Sequence, residues 1–483
     1  MQLLSIYIDK YKNLIDFHWE IGAENASSAL LLMGKNASGK TNILEAIIKI
    51  FDFLMHSKQQ KSPFTFFIEY KIENSKIKIE CDKGYSIDEV SINDVIVPLS
   101  EINRIENTFR PRNRTDLKNL LPDNIILYYS GFAGRFNNIS HKFKQEYARV
   151  FRNQKYVGLP PLILLEPIHN KMIMLALFSF EENSLVYDGF LKKYFNIEGL
   201  NSFEIHIKEH TGWIEDHSYN NFFDTRGIVR NFLEKIHKIQ LETGADEYSF
   251  RKLSPKDSSR VKRVDYKFKG NETLLQLKEI FGYEDDIFKL LNILYTTKNL
   301  ANIIIKVQKS GIKTPIDFNL LSEGEQQFLA IRGMIYLLQG KNSLFLWDEP
   351  DTYLNPSWQW DLIPSLEKDD NDVHFIQRDQ FILTTHSPVL LTTVKKQAYY
   401  VENGVLSCIN HSYGLTIDES LEKQNINIRV EELDTQLKQY FRLIEIGNAN
   451  SEEARKMRAT LEKELGETHR ELQRADVLIN FYE

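Results

Sequence analysis

The sequence predicts an α/β protein: a mostly parallel sheet, joined to an antiparallel β lobe and carrying a helical insertion. Three observations predict it. The run "ALLLM" (29–33) is continuously apolar, as a strand buried on both faces must be, and it leads through "GKNASGKT" into a helix-periodic stretch. Two later apolar runs, "SLFLW" (343–347) and "FILTT" (381–385), end in polar residues and alternate with helical segments. Residues 170–300, between the two halves, have mainly helical periodicity.

In chain order, "LLSIYI" (3–8) reads as a strand, followed by "ALLLM". The helix after it, 41–55, sets Ile43, Leu44, Ile47, Ile50 and Leu54 at helical spacing. Residues 65–98 break into short β-rich runs separated by turn residues, the pattern of an antiparallel lobe, and "NIILYYSG" (124–131) is a further buried strand. "ANIIIKV" (301–307) returns to strand, and strands at 343–347, 381–385 and 398–410 alternate with helices. The stretch from 451 reads as one charged helix. The expected organisation is residues 1–168 for the N-terminal half of the fold, 169–300 for a mainly helical insertion, 301–425 for the C-terminal half, and 426–483 for a helical tail.

Composition bounds the function. The 483 residues are 42% hydrophobic and 26% charged, with a formal charge of −7, which excludes a uniformly basic nucleic-acid coat and leaves local basic patches open. Cys81 and Cys408 are far apart in sequence, giving neither a disulfide framework nor a zinc motif and fitting a cytoplasmic setting. The start "MQLLSIYIDKYKN" lacks the layout of a signal peptide. No apolar run approaches the ~20 residues that span a bilayer, so no membrane association is expected of this chain.

The chemistry concentrates in four motifs. "GKNASGKT" matches G-x-x-x-x-G-K-[ST] between a strand and a helix, the context a phosphate-binding loop requires. Gly34, Lys35, Asn36, Ala37, Ser38 and Gly39 would wrap a triphosphate with backbone N–H groups, with Asn42 on the following helix turn. Lys40 would set a cation against the phosphates, and the Thr41 hydroxyl would face Mg²⁺. Asp348 and Glu349 end an apolar strand. The first suits Mg²⁺ and the second suits the general base for an attacking water. His386 ends the next strand, where it would sense the terminal phosphate. "LSEGEQQFLA" (321–330) opens a helix, with Ser322 as its cap or, equally, as a phosphate contact.

The order of these motifs resembles the ABC-type ATPase heads of the RecF and SMC group and of the overcoming-lysogenization-defect ATPases. The resemblance implies that Ser322, Gly324, Glu325 and Gln326 form the signature that meets ATP bound by a second copy. It implies that Leu354, Asn355 and Pro356 form the D-loop, that Glu349 is the base, and that His386 is the switch residue. Tyr11–Leu14 is similar to the opening motif of these heads, in which Lys12 would approach nucleotide. Glu323 departs from the transporter signature, and "LYYSGFAGR" (127–135) offers no Q-loop glutamine. Longer stretches, including "LLEPIHNKMIMLALFSF" (164–180) and "WDEPDTYLNPSWQWDLIPSL" (347–366), resemble the PtuA ATPases of Septu anti-phage systems and one retron class. That resemblance implies homo-oligomers, from a head-to-tail dimer upward, and an HNH-type nuclease partner similar to PtuB, with DNA met through the complex. The acidic "IDESLE" after His386 does not match a nuclease strand-end pair, so no nuclease is expected in this chain.

The alternatives are a RecF/SMC-like DNA-binding ATPase of repair or recombination and, least favoured, a transporter motor. "RVKRVDYKFKG" (260–270) and "RPRNRTDLK" (110–118) read as a solvated basic strand or loop or as nucleic-acid contacts, and "HIKEH" (206–210) lacks the further ligands zinc needs.

Overall fold

The structure, a computed structural model, describes the chain apart from residues 23–27, 57–60, 86, 99–119, 132–133, 154–158, 181–183, 185, 209–224, 243–262, 282–283, 339–341, 368–378, 425–430 and 483. The basic stretch 110–118, residues 260–262, His210 and residues 132–133 therefore lie outside the described residues.

The chain begins with β1 (Gln2–Tyr11), β2 (Leu14–Glu20), β3 (Ala29–Met33) and α1 (Lys40–Met55). β4 (Phe66–Ile72), β5 (Ser75–Cys81), β6 (Glu89–Ile92), β7 (Val95–Ile96) and β8 (Ile125–Tyr129) follow. Next come α2 (Asn137–Asn153), β9 (Leu162–Leu164), α3 (Pro167–Leu177), α4 (Lys193–Phe195), β10 (Ile197–Lys208), α5 (Gly227–Glu242), β11 (Arg263–Lys269), α6 (Gly270–Phe281) and α7 (Glu284–Thr296). The second half holds β12 (Leu300–Lys309), β13 (Ile316–Asp317), α8 (Glu323–Leu338), β14 (Leu344–Asp348), α9 (Pro356–Glu367), β15 (Gln380–Thr385), α10 (Pro388–Thr393), β16 (Ala398–Glu402) and β17 (Val405–Ile409). Helices α11 (Ile417–Lys423), α12 (Glu431–Glu445), α13 (Glu452–Leu465) and α14 (Arg470–Tyr482) complete the chain.

The central sheet has the order β17-β16-β3-β15-β14-β8-β9, parallel except for β17. A second sheet, β2-β1-β4-β5-β6-β7, is antiparallel. This is the fold class read from the sequence. The continuous apolar run of β3 is explained by its two covered faces. Ala29, Leu31 and Met33 join the core formed with α3 and α8, while Leu30 and Leu32 join the core formed with α1 and the antiparallel sheet. Trp347 and Phe345 of β14 and Phe381 of β15 fill the first core, with the Phe345 and Phe381 rings stacked at 4.6 Å.

Residues 169–300 carry strands as well as helices. β10 pairs with β11 and β12 in the third sheet, β11-β10-β12-β13. The helical expectation missed them because β10 and β11 alternate over only a few residues. Phe203, Ile205 and Ile207 pack with Val264, Tyr266 and Phe268. The aromatics of "RVKRVDYKFKG" are thus core residues and unavailable for stacking on bases. His206 lies buried in β10 beside Glu204, and the described residues contain no group of three or more metal-ligating side chains. Among the described residues no helix is long and apolar enough to cross a membrane.

Gly414–Glu483 forms a compact unit of its own, with Leu437, Tyr440, Ile444, Leu461 and Leu472 at its core. The stretch expected as one charged helix is two, α13 and α14, because Gly466 takes a φ of 85° that ends α13. Arg458 then bridges the pair, donating to Glu462 and to Asp476, each at 2.7 Å.

Helix α8 crosses α3 at Gly333, where an added Cβ would stand 2.4 Å from Ile173 Cγ2. Gly333→Ala is expected to lower stability by about 1–3 kcal/mol through overpacking. Gly333→Ala/Ile173→Ala should recover part of the midpoint lost by the single variant in denaturant melts, and a double variant less stable than both singles would contradict this crossing.

Candidate nucleotide site

The site is built on chain reversal at the end of β3. Gly34 has φ 148°, and a Cβ there would lie 2.3 Å from the Val401 carbonyl oxygen of β16. Gly39 has φ 115°, and its Cβ would lie 2.7 Å from Asn13 Nδ2. Both positions therefore need glycine, and the loop 34–39 runs directly into the first turn of α1, the kind of helix start that suits an anion. Lys40, 5% exposed, donates from Nζ to the carbonyl oxygens of Gly34 (2.7 Å) and Lys35 (3.2 Å). Burial lowers its pKa to about 8, against the opposing pull of Glu349 and Asp348.

Parallel register brings the other residues to the same edge. Asp348 stands opposite Thr384 of β15 and Tyr129 of β8, and Thr385 stands opposite Met33 of β3. The Asp348 carboxylate, 3% exposed, accepts from Thr41 Oγ1 at 2.9 and 3.0 Å and from the Thr384 hydroxyl. Burial raises its pKa, which the two hydroxyls partly offset. Thr41 and Asp348, 307 residues apart, thus form a close pair of hard oxygen donors. A buried carboxylate met, among the described residues, by two hydroxyls fits Mg²⁺, which prefers oxygen ligands and usually takes one or two carboxylates from a protein.

Glu349 takes the left-handed conformation (φ 53°), with its N–H donating to the Thr384 carbonyl at 3.0 Å. This turns its side chain out of the strand toward His386, whose Nε2 lies 3.2 Å from Glu349 Oε1 and 3.0 Å from Lys40 Nζ. One ring nitrogen faces both groups, so it accepts from Lys40 or donates to Glu349 according to its tautomer and charge. The hydrogen bond from His386 holds the Glu349 carboxyl below the usual range, keeping it ionised at neutral pH. Asp351, which the motif reading did not single out, is pushed up to about 6 by burial and accepts from Thr385 Oγ1 at 2.8 Å.

A second cluster was missed in the sequence. Glu45, on the buried side of α1, accepts from Tyr11 Oη (2.5 Å), Lys12 Nζ (2.6 Å) and Arg135 Nε (2.7 Å). Arg135 also donates to Asn42, which donates to Asn13 Oδ1 at 2.5 Å, and Asn13 Nδ2 donates to the Ser38 carbonyl at 3.0 Å. Lys12, with φ 56°, is therefore bound to Glu45 here, and Asn42 serves the cluster that braces the loop. Glu45 could have been suspected only as an acid on the apolar face of α1. Arg135 lies where the Q-loop glutamine was sought.

The Ser322 stretch starts α8. Ser322 Oγ accepts from the Glu325 N–H (3.2 Å), and Glu325 Oε2 accepts from the Ser322 N–H (2.8 Å), a reciprocal helix cap. Glu325 also pairs with Lys309 at 2.6 Å, and Gln326 donates to the Leu321 carbonyl at 2.9 Å. Glu325 and Gln326 are thus engaged in shaping their own helix start. An added Cβ at Gly324 would lie 2.5 Å from the Tyr353 carbonyl oxygen, so the signature glycine packs against the turn after Asp348–Glu349. Ser322 and Glu323 are exposed. Among the described residues, no hydrogen bond or ion pair joins 322–326 to the loop 34–41 of the same chain.

A family model described as "AAA domain, putative AbiEii toxin, Type IV TA system" matches residues 207–392, the part that holds Ser322, Asp348, Glu349 and His386. The chain is similar to "Retron Vc95 probable ATPase" of Vibrio cholerae serotype O1 biovar El Tor, with 23% identity over 97% of this chain and 87% of that one. It is also similar to "Retron Ec83 probable ATPase" of Escherichia coli, with 23% identity over 96% of this chain and 84% of that one. Among solved structures, an SmcHead bound to the C-winged helix domain of ScpA aligns with a TM-score of 0.35 and 13% identity, covering 87% of this chain and all of that one. The fold assignment rests on strand order and loop geometry, not on that superposition.

Lys40 gives a pH test. Its lowered pKa means that the free protein loses this cation as pH rises through about 8, while a bound triphosphate favours the charged form. Affinity for a non-hydrolysable triphosphate nucleotide should be flat below neutral pH and then fall by up to about tenfold per pH unit above pH 8. In Lys40→Met the steep part of this profile should vanish. A slope unchanged in that variant would assign it to another group.

Proposed function

We propose that this chain is an ATPase of ABC/SMC type that works as a head-to-tail assembly and belongs to an anti-phage defence complex. The observation that carries the reading is the convergence at one sheet edge of three sequence-distant hydrogen-bonded links: Thr41–Asp348, Lys40–His386 and His386–Glu349. Phosphoryl transfer needs this set: a cradle, a cation, an oxygen pair for the metal and a base at the open end. The similarity to two retron probable ATPases supports both the ATPase reading and the defence setting.

In the proposed mechanism, loop N–H groups and Lys40 hold the phosphates, Lys40 exchanging its Gly34 and Lys35 carbonyl partners for phosphate oxygens. Bound Mg²⁺, held by Thr41 and Asp348, would supply charge neutralisation on the phosphate oxygens. Glu349, ionised and freed from His386, accepts a proton from water as the water oxygen bonds to the terminal phosphorus. The bond from that phosphorus to the bridging oxygen breaks, leaving ADP and phosphate. His386 is placed to shift between Glu349 and Lys40 and so to register the terminal phosphate. The exposed Ser322 and the start of α8 would close the site of a second copy. Turnover is expected to be slow, since no Q-loop glutamine assists. The nuclease output is assigned to a separate HNH-type subunit, a reading supported by the resemblance to PtuA ATPases.

Lys40→Ala should weaken ATP binding on the order of a hundredfold. Glu349→Gln should bind ATP and lose on the order of 10²–10⁴-fold in turnover. Filter binding and phosphate release measure the two. Full turnover in Glu349→Gln would remove it as the base, and phage protection unaffected by Lys40→Ala would remove nucleotide control. An HNH-type protein co-purifying with the chain is the expected partner result.

A further inference from the structure

A cavity of about 680 Å³ opens between α2 and the end of α7, and none of its lining residues belongs to the loop site. Its charge is one-sided. Lys144, Arg149 and Arg152 come from α2, and Lys298 follows α7. The single carboxylate, Glu166, is already neutralised, since it accepts from Lys144 Nζ at 2.7 and 2.8 Å and from the Tyr295 hydroxyl. Among the described residues, no hydrogen bond or ion pair engages the side chains of Arg149, Arg152 or Lys298. Arg152 is partly buried, and that burial lowers its pKa with no carboxylate to offset it.

Unpaired cations at a concave surface are costly in isolation, because part of their hydration is lost. The cost is greater to explain in a chain whose formal charge is −7, where counter-charges abound. A bound anion of high charge density resolves it, and a low-dielectric concavity focuses the field that attracts one. The volume suits one small ligand rather than a groove tracking a strand. Arginine pairs favour phosphate, which their planar forks bind bidentately.

We propose that this cavity is a second phosphate-recognising site, specific for a small multiply phosphorylated ligand of nucleotide size and bound mainly by Arg149, Arg152 and Lys298. The site adjoins Glu166, which caps α3, and α3 packs on α8. Occupancy would compete for Lys144 at that cap, giving the ligand a route to the helix that begins at Ser322.

The test uses the full chain carrying Lys40→Ala, which disables the loop site, with inorganic tripolyphosphate as the probe in isothermal titration calorimetry. One saturable site is expected. Adding Arg149→Ala/Arg152→Ala should weaken it at least tenfold, while Arg152→Lys should restore part of the affinity. Arg149 is exposed, so Arg149→Glu alone gives a second variant that leaves packing intact, and it should weaken binding as well. No saturable binding, or an affinity unchanged within twofold in both charge variants, would overturn the proposal. So would binding of a 20-nucleotide single strand through these residues with no binding of tripolyphosphate, which would make the cavity part of a nucleic-acid track. Failure here leaves the loop site untouched, because that site is disabled throughout.

Discussion

The buried carboxylate of Asp348 is the constraint on which the rest of the site depends. It sits at the end of β14 with 3% exposure, and its partners are the Thr41 and Thr384 hydroxyls. A carboxylate left there without donors would cost several kcal/mol. The contacts that prevent this tie together the first turn of α1, the end of β14 and the end of β15. Register does the rest. Once β14, β15 and β3 pair in parallel as observed, the loop after β3, the left-handed Glu349 and His386 must emerge at one edge. The two-sided apolar packing of β3 fixes that register, because its alternate residues enter two different cores.

That geometry also bears on the proposal that a second copy completes the site. His386 joins Lys40 to Glu349, and Asp348 is held by the Thr41 and Thr384 hydroxyls, while Ser322 caps its own helix and stays exposed. Gly324 is held against the Tyr353 carbonyl, so the start of α8 is coupled to the turn that follows Glu349. A change at the hydrolytic end of one chain therefore has a direct packed route to the surface proposed to meet a second chain. Packed contacts of this kind are the means by which nucleotide state alters subunit arrangement in other switches.

Much of this was legible in the sequence, for physical reasons. The phosphate loop and the acidic strand end are local: glycines, a lysine and carboxylates at fixed offsets from continuous apolar runs. The central parallel sheet follows from those same runs. Contacts that depend on non-local placement were not legible. Arg135 and Glu45 meet across 90 residues, with nothing in either neighbourhood to announce it. Asp351 was not singled out by any motif and is buried on Thr385. β10 and β11 were hidden because a two-residue alternation over a short span competes poorly with flanking helical periods. Lys12 matched a motif whose lysine approaches nucleotide, yet the left-handed turn at that position delivers it to Glu45.

The proposal that one nucleotide site is shared by two chains is tested most directly by mixing two inactive variants. Lys40→Ala lacks a working loop, and Ser322→Arg lacks a working helix start. In a head-to-tail pair of one of each, one site carries both defects and the other carries neither. The account predicts that neither variant hydrolyses ATP alone and that the mixture does. A mixture as inactive as its components, with both shown to be folded and able to associate, would contradict the shared site.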